Sequence, residues 1–197
     1  HARPEIRNPF PCCSPSGGHV LVFEGMNGFL FPTRDTGEEF PRPEQQFHHD
    51  DEVVALAFSP NGRFIATGSQ DATAQLWDAA TGEKPIAPFV HKQSLNSVRF
   101  SADGRTLLTG SNDRTARLWH LESGPASIEP LRHTSPVLDA LITSNRLVTI
   151  SETEGAWLWA VPDAQAPAIS WHEERGVNLA RFRRDSQTVV SLSRAGV

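Results

Sequence analysis

The sequence predicts an all-β repeat protein, and three observations carry that expectation. The stretch TGSQDATAQLWD, residues 67 to 78, returns 42 residues later as TGSNDRTARLWH, residues 109 to 120, and an interval of this size marks a repeat architecture. Apolar residues alternate through Val54, Leu56 and Phe58 and again through Ile65 and Thr67, the period of a half-buried strand. Between such runs stand Asn61-Gly62 and Asp103-Gly104, dipeptides that supply the positive φ a hairpin turn needs.

Taken in order along the chain, residues 1 to 18 carry four prolines and no periodicity and read as linker or irregular sequence. Residues 19 to 46 read as the latter part of one repeat, with a turn at Asn27-Gly28 and a Thr36-Gly37-Glu38 that matches Thr81-Gly82-Glu83. Residues 47 to 88 and 89 to 130 are whole copies: His49, Thr67, Asp71 and Trp77 align with His91, Thr109, Asp113 and Trp119, at gaps of 18, 4 and 6 both times. A third copy, 131 to 169, keeps His133, Thr149 and Trp159 but is two residues shorter in its first hairpin and places Thr153 at the position of the Asp. A fourth begins at 170 and is expected to stop at Val197 inside a turn.

With these residues in view, the chain resembles the WD-repeat β-propeller family, over roughly residues 19 to 197. The resemblance implies four-stranded antiparallel blades, arranged as an incomplete arc of a larger ring. It also implies a hydrogen-bond chain in each blade, running from the indole N–H of Trp to the Thr hydroxyl, from Thr to one His nitrogen, and from the other His nitrogen to Asp. The members would be His49, Thr67, Asp71 and Trp77; His91, Thr109, Asp113 and Trp119; and, with the acid replaced, His133, Thr149 and Trp159. A hydroxyl at Thr153 accepts more weakly than a carboxylate, so loss of Trp77 or Trp119 is expected to cost more than loss of Trp159.

The same residue types could suggest a nucleophilic triad, yet the trio recurs in the next copy with a Trp beside it, whereas an enzyme needs one activated nucleophile in one cleft. No catalytic residue is assigned. Two cysteines, Cys12 and Cys13, are adjacent and cannot staple distant segments. The run His48, His49, Asp50, Asp51 lacks the spacing of a metal site, no phosphate loop is present, and no metal or cofactor is expected. A net charge of −5 argues against nucleic-acid binding, with the alternation of Arg181, Phe182, Arg183 and Arg184 reading as a half-solvated strand. The longest apolar run, residues 53 to 58, is too short to span a membrane. Because the chain opens on His1, an upstream segment is expected, and a cytoplasmic location is taken forward without a residue that addresses it.

What remains is recognition. Sheets stacked face to face bury their faces and leave loops as the variable surface, and the resemblance implies a non-catalytic scaffold that binds protein or peptide partners there. A regulatory arm of a larger signalling enzyme is the alternative. The expected contact residues flank the His and Asp positions: Asp51, Glu52, Gln70, Gln93, Ser94, Asn112, Thr134, Glu152 and Arg175, with Trp171 as a separate aromatic anchor. An open arc would also expose strand edges around Val189, Val190 and Leu192 and favour self-association.

Overall fold

In the computed structural model the described residues are 12–33, 42–122, 130–143, 146–160, 167–171, 177–182 and 189–193, and all of their regular structure is strand. Four sheets of four antiparallel strands follow one another along the chain. The first contains β1 (Cys12–Cys13), β2 (His19–Glu24), β3 (Asn27–Pro32) and β4 (Gln45–His48), and the second β5 (Val53–Phe58), β6 (Phe64–Ser69), β7 (Thr73–Asp78) and β8 (Phe89–Val90). The third holds β9 (Leu95–Phe100), β10 (Thr106–Ser111), β11 (Thr115–His120) and β12 (Leu131–Arg132), and the fourth β13 (Val137–Ile142), β14 (Arg146–Ser151), β15 (Gly155–Ala160) and β16 (Pro167–Trp171). A pair, β17 (Val177–Phe182) and β18 (Val189–Ser193), comes last. Within each sheet, spatial order equals chain order, a simple meander. The sheets form an arc that does not close among the described residues, and the edge side chains of Val189, Val190 and Leu192 lie outside those described.

Local chemistry sets each hairpin. Ser59 donates to Asn61 Oδ1 at 2.7 Å while its own oxygen accepts the Phe64 N–H at 2.8 Å, and Gly62 takes φ +71°. Ser101, Asp103, Thr106 and Gly104 repeat this turn with the same geometry. The strands one in from the inner edge, β6, β10 and β14, are buried at every position after the first, as a sheet covered on both faces requires.

Each interface between sheets is a core, built by the Trp of one sheet on the sheet before it. Trp77 packs with Leu21, Phe23, Leu30 and Phe47, Trp119 with Ala66, Ala74, Leu76 and Phe89, and Trp159 with Leu108, Ala116, Leu118 and Leu131. Phe47 lies 5.2 Å from the Trp77 ring and Phe89 5.1 Å from the Trp119 ring, both tilted, a favoured aromatic geometry.

Two boundaries differ from the sequence reading. Cys12 and Cys13 pair with Leu21 and Val20, so a strand lies inside the segment read as linker, and residues 12 to 48 make a whole four-stranded sheet rather than part of one. A two-residue strand beside prolines is too short to show alternation. The sheets are also offset from the sequence repeats: β8 opens the copy at 89 to 130, yet pairs with β7 of the preceding sheet. The same offset puts β12 beside β11 and thereby ties successive repeats together.

Candidate functional site

One end of the second, third and fourth sheets carries the loop that precedes the inner strand and the turn between the second and third strands. In the second sheet His49 precedes β5, Thr67 lies on β6, and Asp71 sits in the turn to β7. Trp77 Nε1 donates to Thr67 Oγ1 at 2.8 Å, Thr67 Oγ1 lies 2.6 Å from His49 Nε2, and His49 Nδ1 lies 2.9 Å from Asp71 Oδ2. With the indole filling the hydroxyl's acceptor site, the hydroxyl donates to Nε2 and Nδ1–H donates to the carboxylate. Asp71 also accepts from the Asp50 N–H and, through Oδ1, from the Thr73 N–H and hydroxyl.

The third sheet repeats the chain atom for atom: Trp119 to Thr109 at 2.9 Å, Thr109 to His91 at 2.7 Å, His91 to Asp113 at 3.0 Å. Thr67 and Thr109 are wholly buried. Burial pushes the His49 imidazole below its ordinary pKa, with the Asp71 hydrogen bond pulling the other way. Burial would raise Asp71 and Asp113, but hydrogen bonds outweigh it, from Thr73 and His49 in the first case and from His91, the Lys92 N–H and Thr115 in the second, and both carboxyls end below the usual range.

The fourth sheet corrects the sequence expectation. Thr153 does not take the acid's place; Glu154 does, with Oε2 3.2 Å from His133 Nδ1 and 3.1 Å from the Thr134 nitrogen, and Oε1 accepting from the Thr134 hydroxyl at 2.7 Å. The reason is the turn. In the second sheet the last rung is Gly68–Ala74, and Ala72 takes φ +68° beside the acid. Here the ladder runs one rung further, to Ser151–Gly155, and positive φ passes to Gly155 at +80°. The carboxylate is thereby carried one residue along, and the longer Glu side chain spans the difference. The weak link lies elsewhere: Trp159 Nε1 donates to Thr149 Oγ1 at 2.9 Å, but His133 Nε2 is buried without a hydrogen-bond partner among the described residues. His133 stands edge-on to Trp157 and Trp159, which stack on each other at 5.8 Å.

The expected contact residues lie at this same end. Asp51, Gln70, Gln93, Thr134 and Glu152 are exposed, and Glu52, Ser94 and Asn112 are half-buried. Trp171, in β16, pairs through its backbone with Ala156 of β15, its side chain lying outside those described, as does Arg175 altogether. Missed in the sequence were Glu154, signalled only by a Gly directly after it, and the pair Pro136 and Leu138.

This constellation of sheets and buried chains defines a class: residues 41–78 and 83–120 carry WD40 repeats, and the four-stranded sheets follow one another as in an incomplete propeller. Residues 41–78 and 83–120 each match the family model described as "WD domain, G-beta repeat". The chain is similar to "Protein Mut11" of Chlamydomonas reinhardtii, 53% identical over 36 residues, which is 18% of this chain and 10% of that protein. It is similar to "Transducin beta-like protein 3" of Rattus norvegicus, 47% identical over 47 residues, 23% of this chain and 6% of that protein. The matched stretches thus span a tenth or less of these relatives' length. Repeats of this family serve protein interaction and are typically non-catalytic.

Proposed function

We propose that the chain is a non-catalytic scaffold that holds protein or peptide partners on the loop end of its sheets. The observation that carries this reading is the use of the His, Thr and Asp side chains of the second and third sheets for structure. Both nitrogens of His49 and of His91 are engaged, Thr67 and Thr109 are sealed from solvent, and Asp71 and Asp113 each accept several hydrogen bonds. A nucleophile must meet its substrate, and none of these hydroxyls does. What the networks accomplish is rigidity, since each fixes the loop before the inner strand to the next turn and so holds Gln70, Gln93, Asn112 and Glu152 in place. Rigid presentation lowers the ordering cost of binding.

Partner recovery on the immobilised chain tests the reading. Gln70→Arg, Asn112→Arg and Glu152→Arg together are expected to cut recovery at least about tenfold, the factor that corresponds to about 1.4 kcal/mol. Arg63→Glu with Arg105→Glu, at the opposite end, is expected to leave recovery and thermal midpoint unchanged. Undiminished recovery by the folded triple variant would remove the loop end from consideration. A location in the cytoplasm belongs to the same proposal, and fractionation of cells producing the tagged protein checks it.

A further inference from the structure

The loop ends of the three copies share one backbone frame but not one set of side chains. The turn residue donates its N–H to the carbonyl of the residue before the inner strand in all three: Gln70 to Glu52, Asn112 to Ser94 and Glu152 to Pro136, each at 2.9 Å. In the second sheet the side chains are latched over this bond, Gln70 Nε2 donating to Glu52 Oε2 at 3.0 Å. In the third, Asn112 Nδ2 donates to Ser94 Oγ at 2.8 Å, and Asn96 Nδ2 donates to Asn112 Oδ1 at 2.7 Å and to the Val137 carbonyl at 2.9 Å. Asn96 is the extra residue of a bulge in β9, and Leu138 is its counterpart in β13. A bulge residue is unpaired in its ladder and can be aimed away from the sheet.

The fourth sheet has no latch. Pro136 offers no side-chain donor or acceptor, Leu138 replaces the bridging amide, and the Glu152 carboxylate makes no hydrogen bond or ion pair among the described residues. Leu138 is 41% exposed, one of three large hydrophobic side chains, with Met26 in the first sheet and Val90 in the second, that stand out into solvent among the described residues. The corner is nonetheless rigid: Glu152 is tied through its N–H, the next N–H donates to Ser135 Oγ at 3.1 Å, and Glu154 is fixed on His133 and Thr134. An unpaired carboxylate and an exposed leucine, held at one corner, present one charge and one apolar surface at fixed spacing.

We infer that the corner formed by Pro136, Leu138 and Glu152 is the anchoring point for an extended partner segment in which an Arg or Lys stands next to an apolar side chain. The cation pairs with Glu152 and the apolar group packs on Leu138 and Pro136. The latched corners of the second and third sheets have their polar groups already spent on one another. The inference rests on the loop-end reading above and narrows it to one copy and one partner chemistry.

The test probes the full chain with short synthetic peptides whose central pair is Arg-Leu, Gln-Leu, Glu-Leu or Arg-Gly in otherwise random sequence. Arg-Leu peptides are expected to be retained over the other three. Glu152→Lys is expected to turn the preference towards Glu-Leu, a change of at least about tenfold; Glu152→Gln is expected to abolish the preference for charge without adding one. Leu138→Ser should remove the preference for Leu over Gly and keep that for Arg over Glu, while Arg105→Glu, at the far end, leaves the selection intact. The thermal midpoint of each variant shows that it is folded. Selection that survives Glu152→Lys, or absence of any Arg-Leu preference, overturns the inference. If selection is instead lost in Gln70→Lys and kept in Glu152→Lys, the loop-end reading stands and this corner falls; if peptides bind and no loop-end variant changes their selection, both fall.

Discussion

Thr67 is the residue on which one whole network turns, because its single oxygen serves both the Trp77 indole and the His49 ring. Thr67→Val keeps the shape and leaves two buried polar groups without partners, which costs about 2–6 kcal/mol at about 1–3 per orphaned group. Thr149→Val strands only the Trp159 indole, since His133 Nε2 does not reach it, and a loss of about 1–3 kcal/mol, half that of Thr67→Val, is expected. Urea midpoints of the two variants check the difference, and equal losses would count against the interrupted relay. Glu154 and Thr153 supply a second contrast. Glu154→Ala removes the acceptor of His133 and of both Thr134 groups, while Thr153 contributes a backbone N–H that survives substitution. Glu154→Ala should therefore unfold at lower denaturant by the equivalent of about 1–3 kcal/mol, with Thr153→Ala within about 0.5 of the parent.

At the level of elements, the close approach of one sheet to the next is set by glycine. A Cβ on Gly110 would stand 2.9 Å from Val137 Cγ1 and 2.8 Å from Ser97 Oγ, and on Gly68 2.9 Å from Val98 Cγ1. These atoms belong to strands of the interface cores, which have no slack. Gly110→Ala is expected to destabilise by about 1–3 kcal/mol through overpacking, despite alanine's better intrinsic fit to a strand. Calorimetry decides it; a stabilised variant would mean that the interface between the third and fourth sheets can open without cost. Gly104 answers to a different constraint, its φ of +71°, so there the penalty would come from the backbone and not from a neighbour.

For the molecule as a whole, stability is tied to pH through the same buried groups. His49 and His133 are held below their ordinary pKa by burial, against the pull of Asp71 and Glu154. The folded protein therefore holds these rings neutral while the unfolded chain takes up protons near pH 6.5, so stability is full above about pH 6.5 and is lost as pH falls towards the folded values. Asp71 and Glu154 are shifted down despite burial, by hydrogen bonds from Thr73 and His49 and from Thr134 and His133. Their contribution is present above about pH 4 and fails below it. Denaturation midpoints between pH 8 and 3 are expected to fall in two stages, and His49→Gln with His133→Gln should flatten the first stage while the second persists in reduced form, carried by the hydrogen bonds from Thr73 and Thr134. A single acid stage would contradict this account of the histidines.

How much was legible follows from the range of the forces involved. Alternation, turn chemistry and a fixed interval are local, so the sequence determined the strands, the hairpins at Asn61-Gly62 and Asp103-Gly104, and the membership of two networks whose gaps are identical. Glu154 was hidden because its role depends on where a ladder ends, and the rung at Ser151–Gly155 is set by pairing across the sheet. The strand at Cys12–Cys13 exists only through its partner, and the placing of β8 beside β7 is a choice among edges that no local pattern encodes. The loop-end corner at Leu138 and Glu152 was half visible: Glu152 stood out by position, but that Pro136 leaves it unlatched could be seen only where two chain segments meet. Residue type and spacing fix what each segment can form, whereas which buried donor meets which acceptor is fixed by tertiary contact, since a hydrogen bond depends on distances of a few tenths of an ångström that sequence spacing does not specify.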